Sequence, residues 1–423
     1  MNPIAVIANH FKNNRHIWYF AALHIGICLI FTIVVLVYNT QIGGFDRSAA
    51  KLVLEGQLPY IDFPVEYPPP VTLVMCFPSL IAESYTGYAW VFAGEMMILD
   101  IILLFVLARA ARLLGRSILS TLILYTVAVI LLGPIVINRH DLLPALMTTA
   151  ALTLFIDKRT TIGWGLLGLA AATKLYPAFL APLFFIYQIT RREDTALIKG
   201  ILAFTAVIVA VYLPVYLINH DAFSYLISYH LNRGLHADSV GGVFLLLADL
   251  AGLTTVGAGF SYGSWNLISP AADTFAAIST YITVLLAFAI YILYISKVNK
   301  PKRPGLQSAA YPAQERRLVY YCLLTIIVVI ISGKVFSPQY LTWLLPLVAV
   351  TLPDKKVSLG LFLTAALLTQ INFPYMYIAF SQKEAAAVIV LGLRNILLIS
   401  MAVVMALYVI RRNKAVNSDS PVT

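Results

Sequence analysis

The sequence predicts an all-α polytopic membrane protein of about 12 transmembrane helices, with further helices lying on the surface in its outer loops. Three observations predict it. Of 423 residues, 60% are hydrophobic and 11% charged, with a mean hydropathy of +0.86; a soluble domain carries about 25% charged residues. Apolar runs such as Ile17 to Tyr38, Ile198 to Ile218 and Thr274 to Ser296 reach the roughly 20 residues that a helix needs to cross hydrocarbon. The net charge of +10 is gathered in clusters between apolar runs, which is a topology signal rather than a nucleic-acid footprint.

Those clusters order the spans. Lys12/Arg15, Arg109/Arg112/Arg116, Lys158/Arg159, Arg191/Arg192/Lys199, Lys297 to Arg317, Lys355/Lys356 and Arg411/Arg412/Lys414 belong on the cytoplasmic side. Arg47, Lys51, Arg139, Lys174, Arg233, Lys334, Lys383 and Arg394 are left outside or lining a cavity. Spans then run over 17–38, 86–108, 118–137, 141–156, 161–173, 175–190, 198–218, 273–296, 318–332, 339–352, 357–372 and 387–410, with both termini cytoplasmic in a plasma membrane. The first run is too long for a signal-peptide core and no small-residue cleavage site follows it, so it is kept as a span. Val71 to Ile81 is apolar but short, and counting it would invert every later loop; it is expected along the outer surface. The pair 161–173 and 175–190 is short, and Pro177 and Pro182 predict a broken or cavity-lining segment there. One membrane domain thus covers 1–414, with outer loops at 39–85 and 219–272 and a solvated cytoplasmic linker at 297–317. Residues 415–423 read as a polar, disordered tail. No internal repeat suggests the pseudo-symmetry of many transporters.

The first outer loop is the richest in chemistry. Asp46, Glu55, Asp62 and Glu66 fall within 21 residues, among aromatic residues and prolines. A carboxyl near a low-dielectric boundary has its pKa raised, which suits a general base. An ordinary polar loop with aromatic interface anchors has the same composition. Arg139, Lys174 and Lys334 lie at or near outer span ends, the depth at which an anionic lipid phosphate is met. The alternative there is snorkelling, or pairing with Glu95 or Asp100 of the second span. In the second outer loop His230, Arg233, His236 and Asp238 offer phosphate or acceptor contacts, or simply polarity, and Ser261 to Trp265 a sugar or lipid contact. His230 and His236 lack the i, i+4 spacing of a helical metal pair, and no metal site is expected. Cys28, Cys76 and Cys322 show no paired spacing. There is no Gly-rich phosphate loop and no Rossmann-type domain for a nucleotide sugar, so no cofactor and no nucleic-acid partner are expected.

The string Gly56-x-x-Pro59-Tyr60-x-Asp62-Phe63-x-x-Glu66-Tyr67-Pro68-Pro69, after a first span and an Asp, resembles the polyprenol-phosphate-mannose-dependent mannosyltransferases. These are GT-C-type enzymes of glycosyltransferase family 87, and the mycobacterial phosphatidylinositol-mannoside mannosyltransferases are members. The resemblance continues in Asn138-Arg139-His140-Asp141-Leu142-Leu143-Pro144-Ala145, in Lys174-Leu175-Tyr176-Pro177 and in Phe336-Ser337-Pro338-Gln339-Tyr340-Leu341-x-Trp343-Leu344-Leu345-Pro346. It implies a GT-C-like fold with its active site on the outer face. It also implies transfer of a sugar, mannose in that family, from a polyprenyl-phosphate donor to a glycolipid or glycan hydroxyl, with inversion. The base in such enzymes is an acid soon after the first span. Asp46, eight residues beyond Tyr38, matches best; Asp62 and Glu66 stay open because the spacing from Asp46 to Gly56 is shorter than the family's. With such a donor, Arg139, Lys174 or Lys334, at the outer span ends, would hold its phosphate. Substrate contacts fall on Tyr60, His140, Asp141, Tyr176, Gln339 and Tyr340, with His230, Arg233 and His236 from the second loop. The rival classes are a transporter or flippase of a lipid-linked or small polar substrate, and a non-catalytic partner in envelope assembly. Acids clustered in one outer loop, with few charges at mid-span, argue against transport.

Overall fold

The computed structural model describes residues 15–37, 44–65, 67–298 and 311–418, with the backbone alone at 44–46, 311–312 and 412–418. Glu66, residues 38–43, most of the linker at 297–317 and the tail beyond 418 lie outside the described residues.

Helices dominate, because a backbone without water must bond to itself. In chain order they are α1 (Arg15–Val37), α2 (Gly44–Leu54), α3 (Pro69–Ile81), α4 (Tyr85–Leu113), α5 (Ile118–Leu132), α6 (Ile135–Asn138), α7 (Leu142–Ile156), α8 (Thr160–Thr173), α9 (Ala181–Thr190), α10 (Asp194–Ile218), α11 (His220–Asn232) and α12 (Val240–Leu250). After a hairpin of β1 (Gly257–Ser261) and β2 (Ser264–Ile268) come α13 (Pro270–Lys297), α14 (Tyr311–Ser332), α15 (Leu345–Thr351), α16 (Lys356–Gln370), α17 (Tyr377–Ser381) and α18 (Ala385–Ser418). Starts are set by caps: Ser84, Ser117, Asn219 and Ser239 each accept a first-turn amide, and Pro69 opens α3.

Among the described residues, six helices are long and apolar enough to cross a bilayer: α1, α4, α10, α13, α16 with its extension to Tyr375, and the apolar part of α18. The expected spans 118–137, 141–156, 161–173 and 175–190 are shorter apolar helices. The last is broken as its prolines predict, with a 3₁₀ turn over Tyr176–Leu180 and Pro182 in the first turn of α9. The expected span 339–352 is a 3₁₀ turn over Pro338–Trp343 followed by the seven-residue α15. Every residue of α15 is buried, and seven residues are too short to cross hydrocarbon. The loop at 219–272 is largely structured and carries a β-hairpin within an otherwise helical chain. Tyr262 and Gly263 both take positive φ, 51° and 65°, the backbone that a two-residue hairpin turn requires. Ser261 to Trp265 form its tip, with Phe260 packed edge-on against Trp265.

Two compact units result. The first takes residues 1–233, 297–319 and 339–351. There α15 is enclosed by α4, α5 and α7. Small residues bring α8 against α10: a Cβ on Gly168 would lie 2.8 Å from the Phe204 carbonyl oxygen, and one on Gly200 would overlap the Trp164 indole. A buried polar knot ties α1 to α4 and α5. His24 Nδ1 meets Asp100 Oδ2 at 2.5 Å, Tyr125 donates to Asp100 Oδ1 at 2.6 Å, and His24 Nε2 meets Thr126 Oγ1 at 2.8 Å. The partners of Asp100 are thus His24 and Tyr125 rather than Arg139, Lys174 or Lys334, because these groups face it directly from neighbouring helices. The second unit takes residues 234–296, 320–338 and 352–423. Its core joins Leu235, Val243, Leu246, Val256, Leu267, Phe380, Val388 and Leu391, with α12 and α16 packed on α18.

Candidate active site

Asp46 lies in the first turn of α2, and only its backbone is described. Behind it the loop turns sharply. Asp62 accepts the Leu58 amide at 2.7 Å, so one carboxylate oxygen closes a turn. Tyr60 takes φ 68°, uncommon for a residue with a side chain. Its amide donates to the Phe63 carbonyl at 3.0 Å, and its hydroxyl donates to the Tyr67 carbonyl at 2.5 Å. That geometry makes Tyr60 a shaper of the loop, and burial pushes its hydroxyl pKa up. Arg47 donates to the Glu83 carbonyl, fastening α2 to the start of α4.

The loop reaches the next motif through Tyr67, whose ring meets His140 at 5.8 Å. His140 sits in the turn between α6 and α7, buried, with Phe92 edge-on at 4.7 Å. Burial pushes its imidazole down to about 3; Asp141 opposes the shift, while Lys174 and Arg139 add to it. His140 is therefore neutral and surrounded by charge. Asp141, only 2% exposed at its side chain, accepts from Lys174 Nζ at 2.6 Å and from Trp343 Nε1 at 2.7 Å. Tyr176 stacks on Trp343 at 4.2 Å and 9°, and Tyr340 lies on the same indole at 4.0 Å. The Lys174 ammonium is 5.2 Å from the centres of both the Tyr340 and Trp343 rings. Arg139 donates to the carbonyl and the side chain of Asn138. Gln339 is half-buried in the turn that carries Tyr340 and Trp343.

The structure thus brings together Arg139, His140, Asp141, Lys174, Tyr176 and Tyr340, drawn from three separate motifs. The cluster holds two cations, Arg139 and Lys174, and one carboxylate, Asp141, which pairs with Lys174, so it is net positive. Trp343, which orients Asp141, was not singled out by residue chemistry; its place inside the third motif was the available signal. His230, in the last turn of α11, is exposed, while Arg233 just beyond is half-buried.

In the second unit, His236 is buried. Its amide donates to the Lys334 carbonyl at 2.9 Å, and its Nδ1 meets the Phe336 carbonyl at 3.1 Å. A carbonyl only accepts, so that nitrogen carries the proton. Burial pushes the neighbouring Asp238 carboxyl up to about 6, with Arg394 opposing the shift. Among the described residues, no three His, Cys, Asp or Glu side chains gather to hold a metal.

A multi-pass helical membrane chain, with a net-positive cluster that Tyr67 joins to the preceding loop, is the class that fold and geometry define. The sequence profile of glycosyltransferase family 87 matches residues 65–311, more than half of the chain. The chain belongs to that family, is a membrane glycosyltransferase, and bears out at family level the resemblance read from its motifs. A crystal structure of ArnT from Cupriavidus metallidurans bound to undecaprenyl phosphate is similar with a TM-score of 0.47 and 13% identity, over 91% of this chain and 76% of that one. No curated protein matches the sequence significantly.

Proposed function

We propose that the chain transfers a sugar, mannose first among candidates, from a polyprenyl-phosphate donor to a hydroxyl of a glycolipid or glycan acceptor. The reaction lies on the outer face of a plasma membrane, with both termini cytoplasmic, in a GT-C-like domain spanning residues 1–414. The observation that carries the reading is the buried Asp141 gripping Lys174 in the cluster that includes Arg139. A buried carboxylate fixes where the ammonium points, and the surplus cation suits an anionic phosphate leaving group.

In the reaction Asp46 takes the proton of the acceptor hydroxyl as that oxygen bonds to the anomeric carbon. The bond from that carbon to the phosphate oxygen breaks, and the electron pair leaves on the phosphate, held by Arg139, Lys174 or Lys334. One displacement inverts the anomeric carbon; retention needs a second carboxylate as nucleophile. Tyr176, Gln339 and Tyr340, with His230, Arg233 and His236, contact donor or acceptor, while Tyr60 and His140 shape the pocket.

The test uses protein in nanodiscs with labelled polyprenyl-phospho-mannose and glycolipid acceptors. Wild type is expected to release the lipid phosphate and Asp46→Asn to lose release. Release by both moves the base to Asp62 or Glu66. No release from any lipid-linked sugar refutes the polyprenyl-phosphate donor.

A further inference from the structure

Arg394 interrupts the apolar run of α18 and is fully buried. A guanidinium stays charged, and burying it without partners is costly. A charge within an apolar helix is therefore a functional candidate by default.

Its contacts say what it holds. Nε and Nη2 donate to Asn395 Oδ1 at 3.1 and 2.8 Å, and Nη2 also donates to the Asp238 backbone carbonyl at 2.8 Å. The guanidinium carbon lies 3.9 Å from the centre of the Phe336 ring. Asp238 and Phe336 belong to two segments already joined at His236, whose amide donates to the Lys334 carbonyl and whose ring meets the Phe336 carbonyl. Residues 236–238 and 334–336 are thus stapled twice, once at His236 and once at Arg394. The arginine reaches backbone and ring, so it fixes the shape of the segment that presents Lys334. A misplacement of about 1 Å in a supporting shell is enough to impair a charged binding group.

We propose that Arg394 is a positioning residue for Lys334, setting the segment from which Lys334 meets the donor phosphate. This rests on Lys334 as a phosphate ligand.

The test compares Arg394→Met, Arg394→Lys, Lys334→Gln and the Arg394→Met/Lys334→Gln double variant in nanodiscs. Amide hydrogen exchange at His236 and across 334–338 is expected to rise about tenfold in Arg394→Met, the loss of one net hydrogen bond, with α4 and α5 unchanged. The KM for polyprenyl-phospho-mannose is expected to rise about tenfold with kcat within about twofold. Arg394→Lys, still able to reach the Asp238 carbonyl, recovers part of both effects. The double variant is expected to be no worse than Lys334→Gln alone, because Arg394 acts through Lys334. Additive losses in the double variant, unchanged exchange in Arg394→Met, or an unchanged KM in Lys334→Gln each overturn the proposal while leaving the transferase reading intact. If wild type releases no lipid phosphate, the proposed polyprenyl-phosphate donor fails instead. The exchange data then still decide whether Arg394 holds the Lys334 segment.

Discussion

Removing the Lys174 ammonium separates a charge that serves the fold from one that serves the donor. Lys174→Met keeps an apolar stem against Tyr340 and Trp343 but leaves the buried Asp141 carboxylate with the Trp343 indole as its recorded donor. Breaking a buried ion pair from one side costs about 3–5 kcal/mol. Lys174 is 22% exposed at its side chain, so water softens the loss and about 3 kcal/mol applies. Scaling the unfolding entropy of globular proteins to 423 residues, that is a fall of about 3 °C in melting temperature. Adding Asp141→Asn removes the stranded charge yet still accepts from the indole, and should restore about 2 kcal/mol. The two roles then part company. A purely structural lysine predicts that the double variant regains both melting temperature and turnover. A phosphate ligand predicts recovered melting with the donor KM still raised at least about tenfold, since a hydrogen bond to a charged group contributes about 1.5–3 kcal/mol. Thermal unfolding in nanodiscs and donor titration read the two quantities on one preparation. A wild-type KM in the double variant refutes Lys174 as a phosphate ligand, and a wild-type melting point in Lys174→Met refutes the burial argument itself.

Three further expectations concern stability. Burial holds the Asp238 carboxyl up at about 6 against an ordinary 3.8, despite Arg394, so ionising it opposes folding. Its contribution is full below about pH 4 and is lost as pH rises through 6, about 3 kcal/mol across that window. Asp238→Asn should flatten the melting-temperature slope over this range, and an unchanged slope counts against the buried carboxyl. Asp100→Ala leaves His24 and the Tyr125 hydroxyl, both buried, without their shared acceptor; a loss of about 3–5 kcal/mol should appear as a melting point lower by about 4 °C. Gly168→Ala places a Cβ 2.8 Å from the Phe204 carbonyl oxygen and should cost about 1–3 kcal/mol. Gly94→Ala, with nothing within 4 Å of its new Cβ, should stay within about 0.5 kcal/mol, so equal melting points for the two would refute the close-packing account of α8 and α10.

Much of the helical framework is legible because membrane burial and helix formation select the same long apolar runs. The run Ile17 to Tyr38 became α1 over 15–37, and Pro177 broke its segment where expected. The same selection misleads at Gln339 to Leu352. That stretch is as apolar as a span, yet it folds as a 3₁₀ turn and a buried seven-residue helix. Burial in protein and burial in lipid leave the same mark on composition, and only the length of unbroken helix tells them apart. The hairpin escaped for the opposite reason. Its first strand, Gly257 to Ser261, is mostly small residues and shows no apolar alternation; the Tyr262-Gly263 turn was the only readable sign.

At the site, the three motifs flagged Asp141, Lys174, Tyr176 and Tyr340, but the bond from Trp343 to Asp141 joins residues 202 apart and no spacing rule reaches that far. What geometry adds is a way to sort lysines that sequence alone treats alike. Lys174 and Lys383 both fall outside the basic clusters between apolar runs, and each is paired with an aspartate. The Lys383 pair, at 3.1 Å, has side chains 30% and 20% exposed. Water screens both partners, and such pairs contribute about 0–1 kcal/mol. In the Lys174 pair the acid is 2% exposed and the distance 2.6 Å, with two aromatic rings beside the ammonium. A buried acid that also orients an indole cannot follow its lysine about, so the lysine is fixed in space while a fifth of its surface still meets solvent. An ammonium held still at a surface is what a phosphate ligand requires; the Lys383 ammonium instead closes a local contact, donating to both Asp249 Oδ2 and the Val256 carbonyl. The burial of the acid, more than the presence of the cation, distinguishes the candidate site.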